Sequence, residues 1–204
     1  MKHQIIVIHG GDAFDTYEEY LAFLKSREID FERYRIHRKD WKATLDEKLG
    51  NEFEIILPDM PNKMNAKYLE WKIWFEKFIP YFEPEAVLIG HSLGGTFLAK
   101  YLSENEFPKK IRAVFLVAAP FDYDGETKDY LADFSLSKDL SKLTKQGGKI
   151  FLYQSKDDPF VPFVDLEKYK HALAGAETII FEDRGHFKQT EFPELISNIK
   201  KLYS

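Results

Sequence analysis

Short apolar runs alternate with amphipathic segments along the whole chain. Six runs rich in Ile, Val, Leu and Phe predict β-strands, at residues 4–9, 53–58, 86–90, 112–119, 149–154 and 177–182. Several of them are apolar at nearly every position, which is typical of strands that are covered on both faces. Because helical patterns lie between the runs, we expect the strands to form one parallel sheet.

The segments between the strands show the periodicity of amphipathic helices. They predict six helices, at residues 15–26, 40–50, 65–79, 94–104, 162–173 and 193–203. The stretch 119–148 is the least regular part of the chain. The pattern therefore predicts an α/β fold with three α/β/α layers, and a length of 204 residues is typical of a single domain over residues 1–204.

The sequence GHSLGG, at residues 90–95, follows the third predicted strand directly. A nucleophile on a sharp strand-to-helix turn, called an elbow, needs glycines two positions away on either side. Gly90 and Gly94 meet that need. Ser92 is then a candidate nucleophile, and the Leu93 backbone N–H is a candidate donor to an oxyanion. The alternative interpretation is that Ser92 only caps the helix that follows.

A serine hydroxyl needs a base, and in this type of fold the histidine comes last in the chain order of serine, acid and histidine. The histidines after Ser92 are His171 and His186. His171 falls within a helical pattern, whereas His186 follows the last strand on a turn marked by Gly185. We therefore predict His186 as the base.

The acid should follow the preceding strand, where Asp157 and Asp158 stand side by side. The prolines after them stiffen the turn, and the spacing favours Asp158. Asp157 is then a turn residue, although either aspartate can accept backbone N–H bonds in an Asx-turn. Asp183 is less favoured because it lies only three residues before His186.

Three motifs resemble those of the α/β-hydrolase superfamily, and more closely its compact serine-hydrolase branch. They are IGHSLGG (89–95), SKDDPFVPF (155–163) and RGHFKQTEFPEL (184–195). The resemblance implies that the second aspartate, Asp158, is the acid. It also implies a minimal hydrolase fold with strand order 2-1-3-4-5-6 and at most a small cap.

The same resemblance places the loop HGGDAF, which follows the first strand, beside Ser92. There Gly10 or Gly11 could supply the second oxyanion N–H, and we favour Gly11. The segment 26–44 is longer than is usual in this branch. Only residues 120–148 are available for a cap, and aromatic residues near the expected site could line an acyl pocket or pack in the core; they are Phe121, Tyr123, Phe134 and Phe160.

Charge and composition narrow the function. The chain has 29 Lys and Arg against 34 Asp and Glu, a net charge of -5, so it carries no electrostatic signature of nucleic-acid or membrane binding. It has no cysteine. The apolar run near its amino terminus is too short for the hydrophobic region of a signal peptide. We expect a cytoplasmic protein without a metal or cofactor, since His9 and His91 fit local packing and the known metal motifs are missing.

The expected activity is hydrolysis of a carboxylic ester, thioester or activated amide through an acyl-Ser92 intermediate. Its partner would be a small acyl substrate, with ester cleavage favoured over peptide cleavage. The alternative is an interaction module that keeps the fold with little turnover, and a lyase or haloperoxidase could use the same elbow. The aromatic-rich helix at 65–79 suggests a homodimer or a protein partner if part of it stays exposed.

Overall fold

The computed structural model describes residues 2–29, 31, 35, 39–122 and 131–204. All six predicted strands are present, within a few residues of the expected bounds. They are β1 (His3–Ile8), β2 (Phe53–Ile56), β3 (Ala86–His91), β4 (Ile111–Val117), β5 (Lys149–Ser155) and β6 (Glu177–Phe181).

Helices connect the strands within the described residues. They are α1 (Tyr17–Ser26), α2 (Leu45–Leu49), α3 (Tyr68–Phe78), α4 (Leu93–Glu104), α5 (Ser141–Gln146), α6 (Val164–Ala172) and α7 (Pro193–Lys201). Three short 3₁₀ turns lie at Trp41–Thr44, Ile79–Tyr81 and Ala132–Phe134. No helix in the part of the chain described here is long and apolar enough to cross a bilayer.

The six strands form one sheet in the order β2-β1-β3-β4-β5-β6, and every neighbouring pair is parallel. This confirms the predicted α/β fold and strand order. Because all strands run the same way, the loops after β1, β3, β5 and β6 emerge at one edge of the sheet. That edge is where α/β folds place their sites.

Helices cover both faces of the sheet, which gives the three predicted layers. One hydrophobic cluster packs α3, α4, α5 and α6 on one face. The other packs the Trp41 turn, α2 and α7 on the opposite face. β3 alternates between them, with Leu88 in the first cluster and Val87 and Ile89 in the second, so every residue of β3 is buried.

The structure corrects two local predictions. The expected helix at 40–50 is a 3₁₀ turn followed by the short helix α2, joined at Thr44 and Leu45. The irregular stretch 119–148 contains the helix α5, whose six residues are too few for a clear periodicity. The expected small cap falls partly on residues 123–130, which lie outside the described residues, as does Tyr123.

The helix α3 buries Trp71 and Phe75 and leaves Leu69, Ile73 and Trp74 exposed. Its aromatic content is therefore divided between the core and the surface. The homodimer or protein partner suggested by this helix stays a prediction.

Candidate active site

Ser92 stands at the turn between β3 and α4. Its backbone has φ 56° and ψ −129°, a combination that costs a non-glycine residue on the order of 1–3 kcal/mol. The Ser92 N–H donates to the Val117 carbonyl at 2.8 Å, which ties the turn to the end of β4. The turn is thus held in a strained conformation by its neighbours, which is the backbone geometry of the sharp strand-to-helix turn expected here.

The two glycines that flank Ser92 are sterically required. A Cβ on Gly90 would lie 2.4 Å from the Gly94 carbonyl oxygen. A Cβ on Gly94 would lie 2.4 Å from the Ile8 carbonyl oxygen and 2.5 Å from that of His9. All these neighbours are backbone atoms, so a larger residue at either position would force the backbone of the turn to shift.

Ser92 occupies the N-cap position of α4 without acting as a side-chain cap. Among the described residues, its hydroxyl makes no hydrogen bond to the first turn of the helix. Instead, the Ser92 carbonyl accepts from the N–H of Gly95 at 2.8 Å. The Ser92 hydroxyl therefore does not cap the helix, as the alternative interpretation of this residue required.

Asp158 and His186 form a direct pair. His186 Nδ1 lies 2.9 Å from Asp158 Oδ2 and 3.1 Å from Oδ1. The Asp158 side chain is 0% exposed and that of His186 is 8% exposed. Because a carboxylate only accepts, Nδ1 carries the proton, and Nε2 is the acceptor nitrogen whenever the ring carries one proton.

The turn after β5 holds Asp158 in place. Its Oδ1 also accepts from the backbone N–H groups of Phe160, at 2.9 Å, and Val161, at 3.1 Å. These bonds leave the carboxylate little freedom to rotate away from His186. Asp158 thus combines the acid geometry and the turn geometry that the sequence allowed for either aspartate.

Asp157 serves the neighbouring loop instead. Its Oδ1 accepts from the Ser155 hydroxyl at 2.5 Å and from the Gly185 N–H at 2.8 Å. These two hydrogen bonds, the Ser155 bond first, lower the pKa of Asp157. Ser155 in turn accepts from the Arg184 N–H at 2.9 Å, so Asp157 and Ser155 together position the loop that carries His186.

Ser155 was not predicted from the sequence. Its only local signal is its position at the end of β5, three residues before Asp158. The other residues considered there lie apart from this pair: Asp183 and His171 are exposed, and His171 lies on α6.

His91, which directly precedes Ser92, contacts His186. Its Nε2 lies 2.9 Å from the His186 carbonyl oxygen, and the two rings are 4.9 Å apart. Because a carbonyl only accepts, Nε2–H is the donor. Burial holds the pKa of His91 well below its usual range, and the nearby charge of Lys42 acts in the same direction. His91 therefore stays neutral and joins the elbow to the loop that carries His186.

His9 fixes the loop after β1. Its Nε2 accepts from the Met60 N–H at 2.8 Å, so Nδ1–H is left to donate to the Gly10 carbonyl at 2.6 Å. Burial lowers the pKa of His9, consistent with this neutral form. The sequence predicted local hydrogen bonds for His9 and His91. The bond between His9 and Gly10 is local, whereas Met60 and His186 are distant in the chain from the histidines that they bond.

The glycines of this loop have different neighbours. A Cβ on Gly10 would lie 2.9 Å from Ser92 Cβ, whereas one on Gly11 would lie 2.6 Å from the Lys63 carbonyl oxygen. The loop therefore runs beside Ser92, as the resemblance implied. Leu93 is the first residue of α4, so its N–H has no acceptor within the helix. Leu93 and Gly11 remain the predicted oxyanion donors.

Aromatic and charged side chains form the rim around His186. The Phe160 ring is 55% exposed and stands edge-on to His186 at 5.1 Å. Lys188 Nζ lies 4.3 Å from the centre of the Phe160 ring. Burial raises the pKa of Asp12, which forms an ion pair with Arg27 at 3.7 Å.

Of the candidate pocket aromatics, Phe160 lies at the site, while Phe121 and Phe134 are buried in the core.

A surface groove of about 520 Å³ runs along α7, with Lys48, Phe192 and Ile196 in its lining. Neither Ser92, Asp158 nor His186 lines it, so the groove is separate from this constellation. Within the described ranges, no group of three or more His, Asp and Glu side chains converges as a metal site would require.

Comparison with known proteins identifies the family of the chain. A sequence model described as serine hydrolase matches residues 35–199. The rat serine hydrolase RBBP9 is 28% identical over 151 residues, which cover 74% of this chain and 78% of the rat protein.

Solved structures resemble the chain over almost its whole length. The ydeN gene product of Bacillus subtilis has a TM-score of 0.75 and 18% identity, and the match covers 99% of each chain. A ydeN-like hydrolase from Pectobacterium atrosepticum has a TM-score of 0.68 and 13% identity, with 98% of this chain and 90% of that one covered. Together with the strand order, these neighbours confirm the expected α/β-hydrolase fold.

Proposed function

Because the chain belongs to the serine hydrolase family, we propose that it hydrolyses a carboxylic ester, thioester or activated amide through an acyl-Ser92 intermediate. The catalytic residues in this proposal are Ser92, Asp158 and His186. The bond cleaved joins an acyl carbon to the oxygen, sulfur or nitrogen of a leaving group. Among these substrates we favour the ester.

In the first half of the reaction, Ser92 Oγ attacks the acyl carbon while His186 Nε2 accepts the hydroxyl proton. The N–H groups of Leu93 and Gly11 stabilise the oxyanion of the tetrahedral intermediate. His186 then gives the proton to the leaving group, and the acyl–leaving-group bond breaks. Asp158 stabilises the imidazolium while it exists.

In the second half, water replaces the leaving group. His186 takes a proton from the water, whose oxygen attacks the acyl carbon of acyl-Ser92. Collapse of the second tetrahedral intermediate breaks the bond to Ser92 Oγ, and His186 returns the proton to that oxygen. The products are a carboxylic acid and the free enzyme.

The observation that carries the proposal is the buried contact between Asp158 and His186. It keeps the proton on Nδ1 at 2.9 Å from the carboxylate and leaves Nε2 unprotonated in the neutral ring. That is the tautomer a general base needs. The hydroxyl of Ser92 is not used as a cap, which supports its assignment as the nucleophile.

The exposed face of Phe160 supports an acyl compound as the substrate. This ring stands beside His186 and is 55% exposed, so it offers apolar surface next to the reacting atoms. A small ester with an apolar acyl group would bury that surface on binding.

A fluorophosphonate probe tests the nucleophile, because it phosphonylates a serine only when a base activates the hydroxyl. We expect one adduct per chain, located on Ser92 by peptide mass and absent from Ser92→Ala. Ser103→Ala is the matched control, since the Ser103 hydroxyl lies in α4 and donates to the Ala99 carbonyl at 2.7 Å. Ser103→Ala should be labelled like the wild type, and p-nitrophenyl esters of graded length would then define the acyl preference.

The opposite outcome points to the second class of function. Wild-type protein that is folded by circular dichroism and carries no adduct would contradict the hydrolase mechanism. It would favour an interaction module that retains the fold without turnover.

A further inference from the structure

The loop that carries His186 is held by a segment far away in the sequence. The indole Nε1–H of Trp41 donates to the Phe187 carbonyl at 2.9 Å. The Trp41 backbone N–H donates to the Gln189 carbonyl at 2.9 Å, and Thr44 Oγ1 lies 3.0 Å from the Thr190 carbonyl oxygen. Three contacts, at Phe187, Gln189 and Thr190, thus fasten this loop to the turn Trp41–Thr44.

The point that Trp41 holds is strained. Phe187 follows the base directly and has φ 51°, in the left-handed region that bulky residues rarely occupy. Such a conformation persists when its surroundings over-determine it. Phe187 is fully buried, its ring stacks on Phe192 at 5.2 Å, and its carbonyl accepts the indole N–H.

Trp41 also contacts the residue that links the elbow to the base. Its ring stands edge-on to His91 at 6.1 Å, and His91 donates to the His186 carbonyl at 2.9 Å. The carbonyls of His186 and Phe187 are therefore each held by a buried N–H donor, from His91 and Trp41. Two fixed carbonyls in succession define the direction in which the His186 side chain leaves the backbone.

We propose that Trp41 is a positioning residue for catalysis, whose indole N–H holds Phe187 in its left-handed conformation and so keeps the His186 imidazole aligned with Asp158. Trp41 is 1% exposed and acts through Phe187 and His91, not by touching substrate. This inference rests on the proposed function, because it gives His186 the role of the base. It assigns a task to the end of the long segment 26–44.

The test is Trp41→Phe, which keeps an aromatic ring in the core and removes the N–H. We expect kcat for p-nitrophenyl acetate to fall about 10–100-fold with KM within about twofold, because base geometry affects the transition state more than binding. The rate of fluorophosphonate labelling should fall by the same factor. A purely structural role would instead lower the amount of active enzyme, and titration of labelled sites would reveal that loss.

A direct readout of the pair separates this inference from the proposed function. The proton between His186 Nδ1 and Asp158 should give a far-downfield proton NMR resonance in the wild type and a broadened or missing one in Trp41→Phe. This measurement needs no turnover. If the wild type is not labelled on Ser92, the proposed function fails, and the resonance still decides whether Trp41 positions the base.

The control is Gln146→Met, which removes partly buried hydrogen bonds at the opposite end of the sheet. Gln146 Nε2 donates to the carbonyls of Leu102, at 2.6 Å, and Asn105, at 2.9 Å, and lies just before the start of β5. This variant should lose stability and keep the wild-type kcat and resonance. If Trp41→Phe does not fold, Thr44→Val is the second variant. The Thr44 hydroxyl lies 3.1 Å from the Trp41 carbonyl oxygen and 3.0 Å from that of Thr190, so its loss loosens the turn that places the indole, and we expect about a 3–10-fold loss of kcat. Wild-type kcat, labelling rate and resonance in the folded Trp41 or Thr44 variant would overturn the proposal.

Discussion

Asp157 and Asp158 are adjacent carboxylates with different partners, and this difference allows a matched test. Asp158→Asn should lower kcat/KM by about 10³–10⁴-fold, because an amide favours the wrong tautomer of the base. Asp157→Asn should lower kcat/KM by less than about tenfold. It changes the support of the loop that carries His186 and leaves His186 paired with Asp158. Steady-state hydrolysis of p-nitrophenyl acetate measures both. A larger loss in Asp157→Asn would reassign the acid.

His91 makes stability depend on pH in a predictable direction. Burial lowers the pKa of His91 in the folded protein. Below about pH 6.5 this histidine therefore binds a proton in the unfolded chain but not in the folded one. Protonation therefore favours the unfolded state, and the stability contributed by neutral His91 is lost as the pH falls. His91→Gln keeps a side-chain N–H donor and removes this titration.

Urea unfolding at pH 7 and pH 5 measures the effect of His91. We expect the wild type to lose about 1–2 kcal/mol more than His91→Gln between these two pH values. Equal losses in the two proteins would show that His91 does not contribute to the acid sensitivity of the fold.

At the scale of elements, the elbow between β3 and α4 depends on the space around Gly94. A methyl group there would meet the backbone carbonyls that end β1, and these cannot move without breaking the sheet. Gly94→Ala should lower the free energy of unfolding by about 3 kcal/mol or more.

Gly185→Ala is the comparison for Gly94→Ala. Gly185 has φ 50°, and a Cβ there would have nothing within 4 Å. Gly185→Ala should therefore lower the free energy of unfolding only by the cost of the left-handed backbone conformation, about 1 kcal/mol. Chemical denaturation of both variants separates crowding from backbone strain, and equal losses would contradict the crowding argument.

At the scale of the molecule, the sheet separates two hydrophobic clusters. Leu98 of α4 lies in one and Leu195 of α7 lies in the other, and both are fully buried. Leu98→Ala and Leu195→Ala should each cost about 2–4 kcal/mol. Because the sites share no contact across the sheet, the double variant should equal the sum within about 0.5 kcal/mol in urea unfolding. A larger deviation would mean that the two faces are coupled.

The hydrophobic pattern was sufficient for the six strands and most of the helices, because strand and helix periodicities are written in neighbouring residues. It missed α5, which has six residues, and it merged the Trp41–Thr44 turn with α2. In both places the segment is too short for its period to appear, and contacts with the rest of the molecule decide the local structure.

The motifs around Ser92, Asp158 and His186 were also visible in the sequence, since a sharp elbow needs glycine at fixed spacing and a strand end followed by a turn marks the sheet edge. The partners of these residues were not. Ser155 and Asp157 hold the loop that carries His186 through hydrogen bonds between chain segments that only folding brings together.

Trp41 is the clearest case of this difference. It lies in a polar stretch with no recognisable motif, and it bonds a carbonyl 146 residues away. Local steric and hydrophobic requirements leave a pattern over a few positions, so strands, helices and the elbow can be inferred from the chain. A hydrogen bond between distant segments leaves no such pattern, because its geometry arises when the helices and loops pack on the finished sheet.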